Sequence, residues 1–121
     1  MRVLLTGSTT WADAAAIRRE LTKLPADAVI VHGDCPGVDA LGGEIARHLG
    51  FAVELWCKDD SDVARHADAA WKGLNERMLG AGVDLILAFH PDCHVEGKAH
   101  GTRHLMALAR AGGIEFRAFR E

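Results

Sequence analysis

Short apolar runs alternate along the chain with longer segments in which apolar residues recur at the helical period. Five runs are strand candidates, at 3–5, 28–31, 52–56, 84–89 and 114–119. The four segments between them have helical periodicity, at 12–24, 38–49, 63–80 and 102–111. Strands that alternate with helices in this way favour a parallel sheet with right-handed crossovers. The sequence therefore predicts an α/β fold with a five-stranded parallel sheet and helices on both faces.

The length and composition are those of one domain. The chain has 121 residues, of which 49% are hydrophobic and 26% charged, enough to enclose a core. No repeat or linker interrupts the pattern, so we predict a single Rossmann-like domain over residues 1–121. In such a sheet, ligands bind outside the carboxyl ends of the strands, where the strand order reverses. The loops that follow the first, second and fourth strands are therefore the places to look for a site.

The charge balance disfavours some classes of partner. The net charge is -3 and the 14 Lys and Arg residues are scattered, which disfavours binding to nucleic acid or to an anionic membrane. The apolar runs are far shorter than the roughly 20 residues that cross a bilayer. The N-terminus begins with a strand-like run, not a signal peptide, so we expect a cytoplasmic protein. Three cysteines without a CxxC spacing indicate reduced thiols.

The loop after the first strand reads TGSTTW, at 6–11. Gly7 allows close backbone approach, and the following helix N-terminus favours an anion. The hydroxyl groups here can donate to phosphate oxygens, and they belong to Ser8, Thr9 and Thr10. The alternative is a turn in which Thr10 or Asp13 only caps the helix.

The loop after the second strand reads HGDCPGVDA, at 32–40. Gly33 and Gly37 bracket a tight turn, and Asp39 falls in the first turn of the next helix. A carboxylate there either complements the helix dipole or accepts hydrogen bonds from a ribose or a base. We take Gly33, Asp34 and Asp39 as candidate ligand-binding residues.

The loop after the fourth strand spans 90–104 and ends in Gly101 and Thr102, at the start of the last predicted helix. A small residue, a hydroxyl and free N–H groups favour phosphate binding, and His90 is a further ligand-binding candidate. His90, Cys93, His94, His100 and His104 are also possible metal ligands by residue type. Their spacing matches no standard zinc motif, so we predict neither a metal nor another cofactor.

The helix predicted at 63–80 contains the run LNERM, at 74–78. Leu74 and Met78 are four residues apart and are expected to face the sheet. Asn75 and Arg77 then point elsewhere. An arginine near a phosphate can form a bidentate contact, although the pattern slightly favours a solvated arginine.

Four motifs, in order, resemble the YspA/cpYpsA-related branch of the SLOG superfamily. They are TGSTTW, VHGDCPGVDAL, LNERM, and LAFHPD followed by HGT. The superfamily also includes the Lonely Guy phosphoribohydrolases and the DNA-processing protein DprA. The resemblance implies a Rossmann-like fold and a nucleotide-type ligand, held by Gly7, Ser8, Thr9, Gly33, Asp39, Asn75, Gly101 and Thr102.

The phosphoribohydrolases of that superfamily carry an Arg-Lys pair and a Gly-rich motif ending in two glutamates. Here Leu74 and Asn75 replace the pair, and His104 and Leu105 stand where the glutamates would be. Cleavage of an N-glycosidic bond needs a carboxylate or a proton donor, for which Asp39, Arg77 and His104 are the candidates. Catalysis thus remains an open alternative.

Three functions follow as hypotheses. The first is binding or sensing of a phosphate-bearing nucleotide or nucleotide derivative at the carboxyl edge of the sheet. The second is hydrolysis of a nucleoside 5′-monophosphate, and the third is binding of single-stranded DNA, which the charge balance disfavours. We also expect a homo-oligomer, because Trp56 and Trp71 flank a helix that carries more apolar surface than one sheet face needs.

Overall fold

The computed structural model describes residues 1–121, and its five strands form one parallel sheet. The strands lie in the order β3-β2-β1-β4-β5. Their bounds are β1 Arg2–Gly7, β2 Val29–His32, β3 Ala52–Leu55, β4 Leu85–Phe89 and β5 Glu115–Phe119. The predicted α/β fold with a five-stranded parallel sheet is confirmed.

Five α-helices connect the strands. They are α1 Ala14–Leu21, α2 Val38–His48, α3 Asp60–His66, α4 Ala70–Gly80 and α5 His100–Gly112. A single 3-10 turn, Ala67–Ala69, joins α3 to α4. All of these helices are too short or too polar to traverse a lipid bilayer.

The core lies in two layers because successive strand residues point to opposite faces of the sheet. On one face, Val3 and Leu5 of β1 pack with Ile17 of α1 and Ala46 of α2. On the other face, Leu4 packs in a cluster that includes the following residues of α4 and α5: Leu74, Met78, Leu105 and Ala109. Helices therefore cover both faces, and Leu74 and Met78 face the sheet as predicted.

The helix predicted at 63–80 is wrong in one respect, because the structure divides this segment. α3 begins at a capping box in which Asp59 and Asp62 exchange hydrogen bonds with each other's backbone N–H groups. Ala67 then takes a φ of 52°, which ends α3 and turns the chain into α4. The side chain of Asp62 is fully buried between the two helices, where Arg77 donates to it from 2.6 and 3.0 Å. This buried ion pair favours a folded-back arrangement over one straight helix.

The strand order reverses between β1 and β4. From β1 the chain proceeds to β2 and β3 on one side, and it then crosses to β4 and β5 on the other. The loops after β1 and β4 consequently diverge and leave a crevice at the carboxyl ends of these strands. The candidate site lies there.

Candidate functional site

A cleft of about 410 Å³ opens at the carboxyl ends of β1, β2 and β4, against α4 and the start of α5. It collects residues from all four motifs, although these are far apart in the sequence. Nine of the predicted ligand-binding residues line it: Gly7, Ser8, Thr9, Gly33, Asp39, Asn75, His90, Gly101 and Thr102.

Four other candidates do not line this cleft. Thr10 faces a separate depression beside Trp11, and Asp34 forms an ion pair with Lys58 at the surface. The guanidinium group of Arg77 is held by Asp62 and also donates to the Cys57 carbonyl oxygen, at 2.7 Å. His104 does not line the cleft, and its Nδ1 accepts a hydrogen bond from Asn75, which does.

The β1 loop is tied to both neighbouring elements through Ser8. The Ser8 N–H donates to the Phe89 carbonyl oxygen at the end of β4, at 2.9 Å, and its own carbonyl oxygen accepts from the Val38 N–H at the start of α2, at 3.1 Å. A Cβ atom on Gly7 would collide with the Phe89 carbonyl, and one on Gly37 with that of Ser8. Both glycines also have a positive φ. The close backbone approach that is expected at Gly7 is therefore one between the β1 loop and the end of β4.

The Ser8 hydroxyl is partly committed inside this loop. Its Oγ accepts from the Thr10 N–H at 3.1 Å and lies 3.0 Å from the Thr10 hydroxyl. Asp13, rather than Thr10, caps α1, since its carboxylate accepts from the Ala16 N–H. Thr10 therefore shapes the loop, while Ser8 and Thr9 border the cleft.

Asp39 is an acidic group in the wall of the cleft. Its carboxylate accepts from the Cys35 N–H at 3.3 Å, in the first turn of α2 where the sequence predicts it. Burial raises the pKa of Asp39 to about 7, an effect that this hydrogen bond only partly offsets. Near neutral pH the group can accept a hydrogen bond as a carboxylate or give up a proton as an acid.

The N-terminus of α5 faces the cleft without a capping side chain. Ala99 precedes the helix in the left-handed region, with a φ of 54°, and no side chain bonds the first N–H groups. Thr102 is only 3% exposed and its hydroxyl makes no hydrogen bond within the chain, yet it lines the cleft. Unpaired N–H groups, a hydroxyl and the positive end of the helix dipole together form a site suited to an anion.

Asn75 links α4 to this helix start. Its Nδ2 donates to the Gly101 carbonyl oxygen at 3.3 Å and to the Nδ1 of His104 at 3.1 Å. Burial lowers the pKa of the His104 imidazole, and the edge of Trp71 packs against its ring, with the centroids 5.6 Å apart. His104 is therefore a neutral acceptor that supports a residue of the cleft.

His90 occupies the rim after β4. Its Nδ1 accepts from the Asp92 N–H at 3.0 Å, so the neutral ring carries its proton on Nε2. Burial lowers the pKa of His90, which favours this neutral form. The histidines of this loop do not cluster, and no three His, Cys, Asp or Glu side chains lie close enough to hold a metal ion.

Several cleft residues were not predicted as ligand-binding residues. Lys58 is the one ammonium group in the lining, and it follows β3, so the rule on carboxyl ends of strands points to it. Trp71 lines the cleft beside Gly101, and its neighbour Lys72 lies over its ring at 5.6 Å. The Arg77 guanidinium lies over the ring of Trp56 at the same distance, 5.6 Å. The remaining ones are Leu5, Thr6, Cys35, Leu74, Met78, Ala99 and His100.

In a comparison with protein families, the chain matches the YspA, cpYpsA-related SLOG family over residues 1–66. These residues make up more than half of the chain. The chain belongs to this family. The matched segment contains Gly7, Ser8, Gly33 and Asp39, so the family region supplies the β1 and β2 sides of the cleft. The α4 and α5 sides lie outside it.

Comparison with proteins of curated function gives no match. Among solved structures, the C-terminal domain of a hydrogenase from Pyrococcus furiosus has a similar fold, with a TM-score of 0.53. The similarity covers 98% of this chain and 89% of that domain, at 12% sequence identity. It supports the architecture of the SLOG family member described here, and at this identity it concerns the fold alone.

Proposed function

We propose that the cleft binds a nucleotide or nucleotide derivative, with a phosphate group at the N-terminus of α5. The observation that carries this proposal is the uncapped start of α5, where Thr102, a residue only 3% exposed, has a hydroxyl group without a partner in the chain. Lys58 places an ammonium group in the lining of the same cleft, where it is paired with Asp34 at the edge. Membership of the SLOG family is consistent with a nucleotide-related role.

The rest of the cleft suits the other parts of such a ligand. Trp71, Leu74 and Met78 provide an apolar wall on which a base can pack. Asp39 offers an acceptor to sugar hydroxyl groups. A volume of about 410 Å³ lies within the range of small-molecule sites and is of the size for one nucleotide.

Thr102→Val tests the proposal, because it removes the hydroxyl group and preserves the shape of the side chain. We expect adenosine 5′-monophosphate, or another compound of a nucleotide panel, to raise the melting temperature of the parent protein. The shift should be smaller in Thr102→Val and restored in Thr102→Ser. If no phosphate-bearing compound shifts the melting temperature, the proposal is wrong.

Gly101→Val provides a second, steric test at the same position. A Cβ at residue 101 meets nothing closer than Trp71, at 4.0 Å, so the fold has space for a side chain. That side chain would occupy the place where the phosphate approaches the N–H groups of α5. We expect unchanged unfolding and lost nucleotide binding, and equal affinity in Gly101→Val and the parent would place the phosphate elsewhere.

Hydrolysis of a nucleoside 5′-monophosphate is a second candidate, favoured by Asp39. A half-buried carboxyl group with a pKa of about 7 is suited to general acid or base chemistry. In this reaction water adds across the N-glycosidic bond, which yields the free base and ribose 5-phosphate. Release of base that is abolished by Asp39→Asn would support it, whereas bound nucleotide that remains intact would leave binding as the function.

A further inference from the structure

The orientation of the Asn75 amide is determined by two acceptors. Its Nδ2 lies 3.1 Å from the Nδ1 of His104 and 3.3 Å from the carbonyl oxygen of Gly101. A carbonyl oxygen can only accept, and the opposite orientation of the amide would place its oxygen against it. His104 must then present a bare Nδ1, with its proton on Nε2.

This arrangement leaves the Asn75 Oδ1 free. Asn75 is 7% exposed and lines the cleft, and its Oδ1 accepts no hydrogen bond from the chain. The one fully buried polar side-chain atom without a partner is the Nε2 of His32, so the unpartnered Asn75 Oδ1 is not fully buried. The amide therefore presents an acceptor, and not a donor, to a ligand.

The acceptor lies beside the anion site, because Asn75 contacts the first turn of α5 through Gly101. An oxygen acceptor next to a phosphate is unfavourable unless the ligand places a donor between them. In a nucleotide the group attached to the phosphate is the sugar, and its hydroxyl groups are such donors. Asp39 supplies a second acceptor in the same cleft.

We propose that His104 is a specificity-determining positioning residue, which holds the Asn75 oxygen toward the ligand and thereby selects a nucleotide with a free ribose hydroxyl over its deoxy counterpart. This inference rests on the proposed nucleotide binding. His104 acts only through Asn75, since it does not line the cleft itself.

The test compares His104→Asn with His104→Leu. The Oδ1 of an asparagine is bonded to Cγ, as is the histidine Nδ1, and can accept from the Asn75 amide, whereas leucine cannot and leaves only the longer 3.3 Å contact with the Gly101 carbonyl oxygen to orient it. The probes are adenosine 5′-monophosphate and its 2′-deoxy and 3′-deoxy forms, measured by calorimetry. In the parent we expect at least one deoxy form to bind about tenfold more weakly, the scale of one hydrogen bond lost from a buried acceptor. The ratio should persist in His104→Asn and fall toward one in His104→Leu and Asn75→Leu.

A second readout needs no ligand. The ¹⁵N shifts of the imidazole nitrogens should show His104 protonated on Nε2, with Nδ1 as an acceptor, in the parent protein at neutral pH. A proton on Nδ1 would overturn the inference. Thermal melts of the two His104 variants control for a general loss of structure.

The outcomes separate this inference from the proposal on which it rests. If the parent binds no phosphate-bearing probe, the proposed function fails and the inference fails with it. If the parent binds ribose and deoxyribose forms equally, only the inference is overturned. An equal fall of the ratio in His104→Asn and His104→Leu would also overturn it, since orientation of the amide would then not be the cause.

Discussion

Asp39 and Gly33 lie so close together that a Cβ atom at position 33 would stand 2.9 Å from the Asp39 Oδ2. The absence of a side chain at Gly33 gives this carboxyl group its place in the wall of the cleft. There it loses much of its hydration, which raises its pKa to about 7. Such a group binds its proton more tightly in the folded chain than in the unfolded one, so the free energy of unfolding depends on pH.

Asp39→Asn should stabilise the protein at pH 8 and have little effect at pH 4. Between the unfolded pKa of 3.8 and the folded value of about 7, the folded state holds the extra proton, so the free energy of unfolding falls as pH rises. Asparagine keeps an acceptor for the Cys35 N–H but carries no charge. The expected gain at pH 8 is on the order of 3 kcal/mol, measured by urea denaturation. Asp27→Asn, at an exposed site, is the control, and an equal gain there would contradict the explanation.

Arg77→Met should destabilise the fold by about 3 kcal/mol, because it leaves the fully buried carboxylate of Asp62 without its main partner. Arg65→Met is the matched control. Arg65 is half exposed and lies 3.7 Å from the same carboxylate, so its loss should cost less than about 1 kcal/mol. Urea denaturation measures both. Since Arg77 lies outside the cleft, nucleotide affinity of the folded variant should be unchanged, and a selective loss of affinity would give Arg77 a role in the site.

Gly73→Ala and Gly80→Ala should have opposite effects, although both residues lie in α4. A Cβ atom on Gly73 would stand 2.9 Å from the Asp62 Cα, so α3 and α4 would have to separate, at a cost of about 2 kcal/mol. A Cβ atom on Gly80 meets nothing within 4 Å, and alanine there should stabilise the helix by about 0.5 kcal/mol. Thermal unfolding distinguishes the two. Similar melting temperatures would argue against close packing of α3 on α4.

His32→Asn should make the protein less sensitive to acid. The Nδ1 of His32 donates to the Gly33 carbonyl oxygen at 2.8 Å, and burial lowers the pKa of the ring below 6.5. As pH falls below about 6.5, His32 therefore takes up a proton in the unfolded chain before it does so in the folded one. The free energy of unfolding decreases in that range. Asparagine retains a donor but cannot be charged. The decrease in the free energy of unfolding between pH 7.5 and 5.5 should therefore be smaller by about 1 kcal/mol. His48→Asn, at an exposed position of α2, should leave the loss unchanged.

The sequence predicts the sheet well because burial on both faces leaves a simple pattern. Strands such as β4, with all five residues buried, read as continuous apolar runs, and α5 shows a clear helical stripe. The division between α3 and α4 was not predicted, because it depends on contacts between residues distant in the sequence. In the sequence, Asp62 and Arg77 each resemble ordinary solvent-exposed charges. In the folded chain, Asp62 is buried and Arg77 pairs with it.

The candidate site could be predicted in its loops but not in its detail. Glycines and hydroxyl groups at the carboxyl ends of strands indicate the cleft, and Gly101 and Thr102 lie where the sequence places them. Which polar groups remain free within it depends on side-chain orientation, which sequence patterns do not encode. Thus Asp34 and Lys58 neutralise each other at the edge, and His104 becomes a support for Asn75 rather than part of the lining.

The ties that hold Ser8 to β4 and α2 also bear on how quickly a ligand can bind. Because the N–H and the carbonyl oxygen of Ser8 are already bonded to Phe89 and Val38, this loop does not need to change conformation when the ligand binds. Binding then requires little ordering of the backbone, and the associated loss of entropy is avoided. Association on this side of the cleft should accordingly be a single step whose rate rises linearly with nucleotide concentration, without a plateau from loop closure.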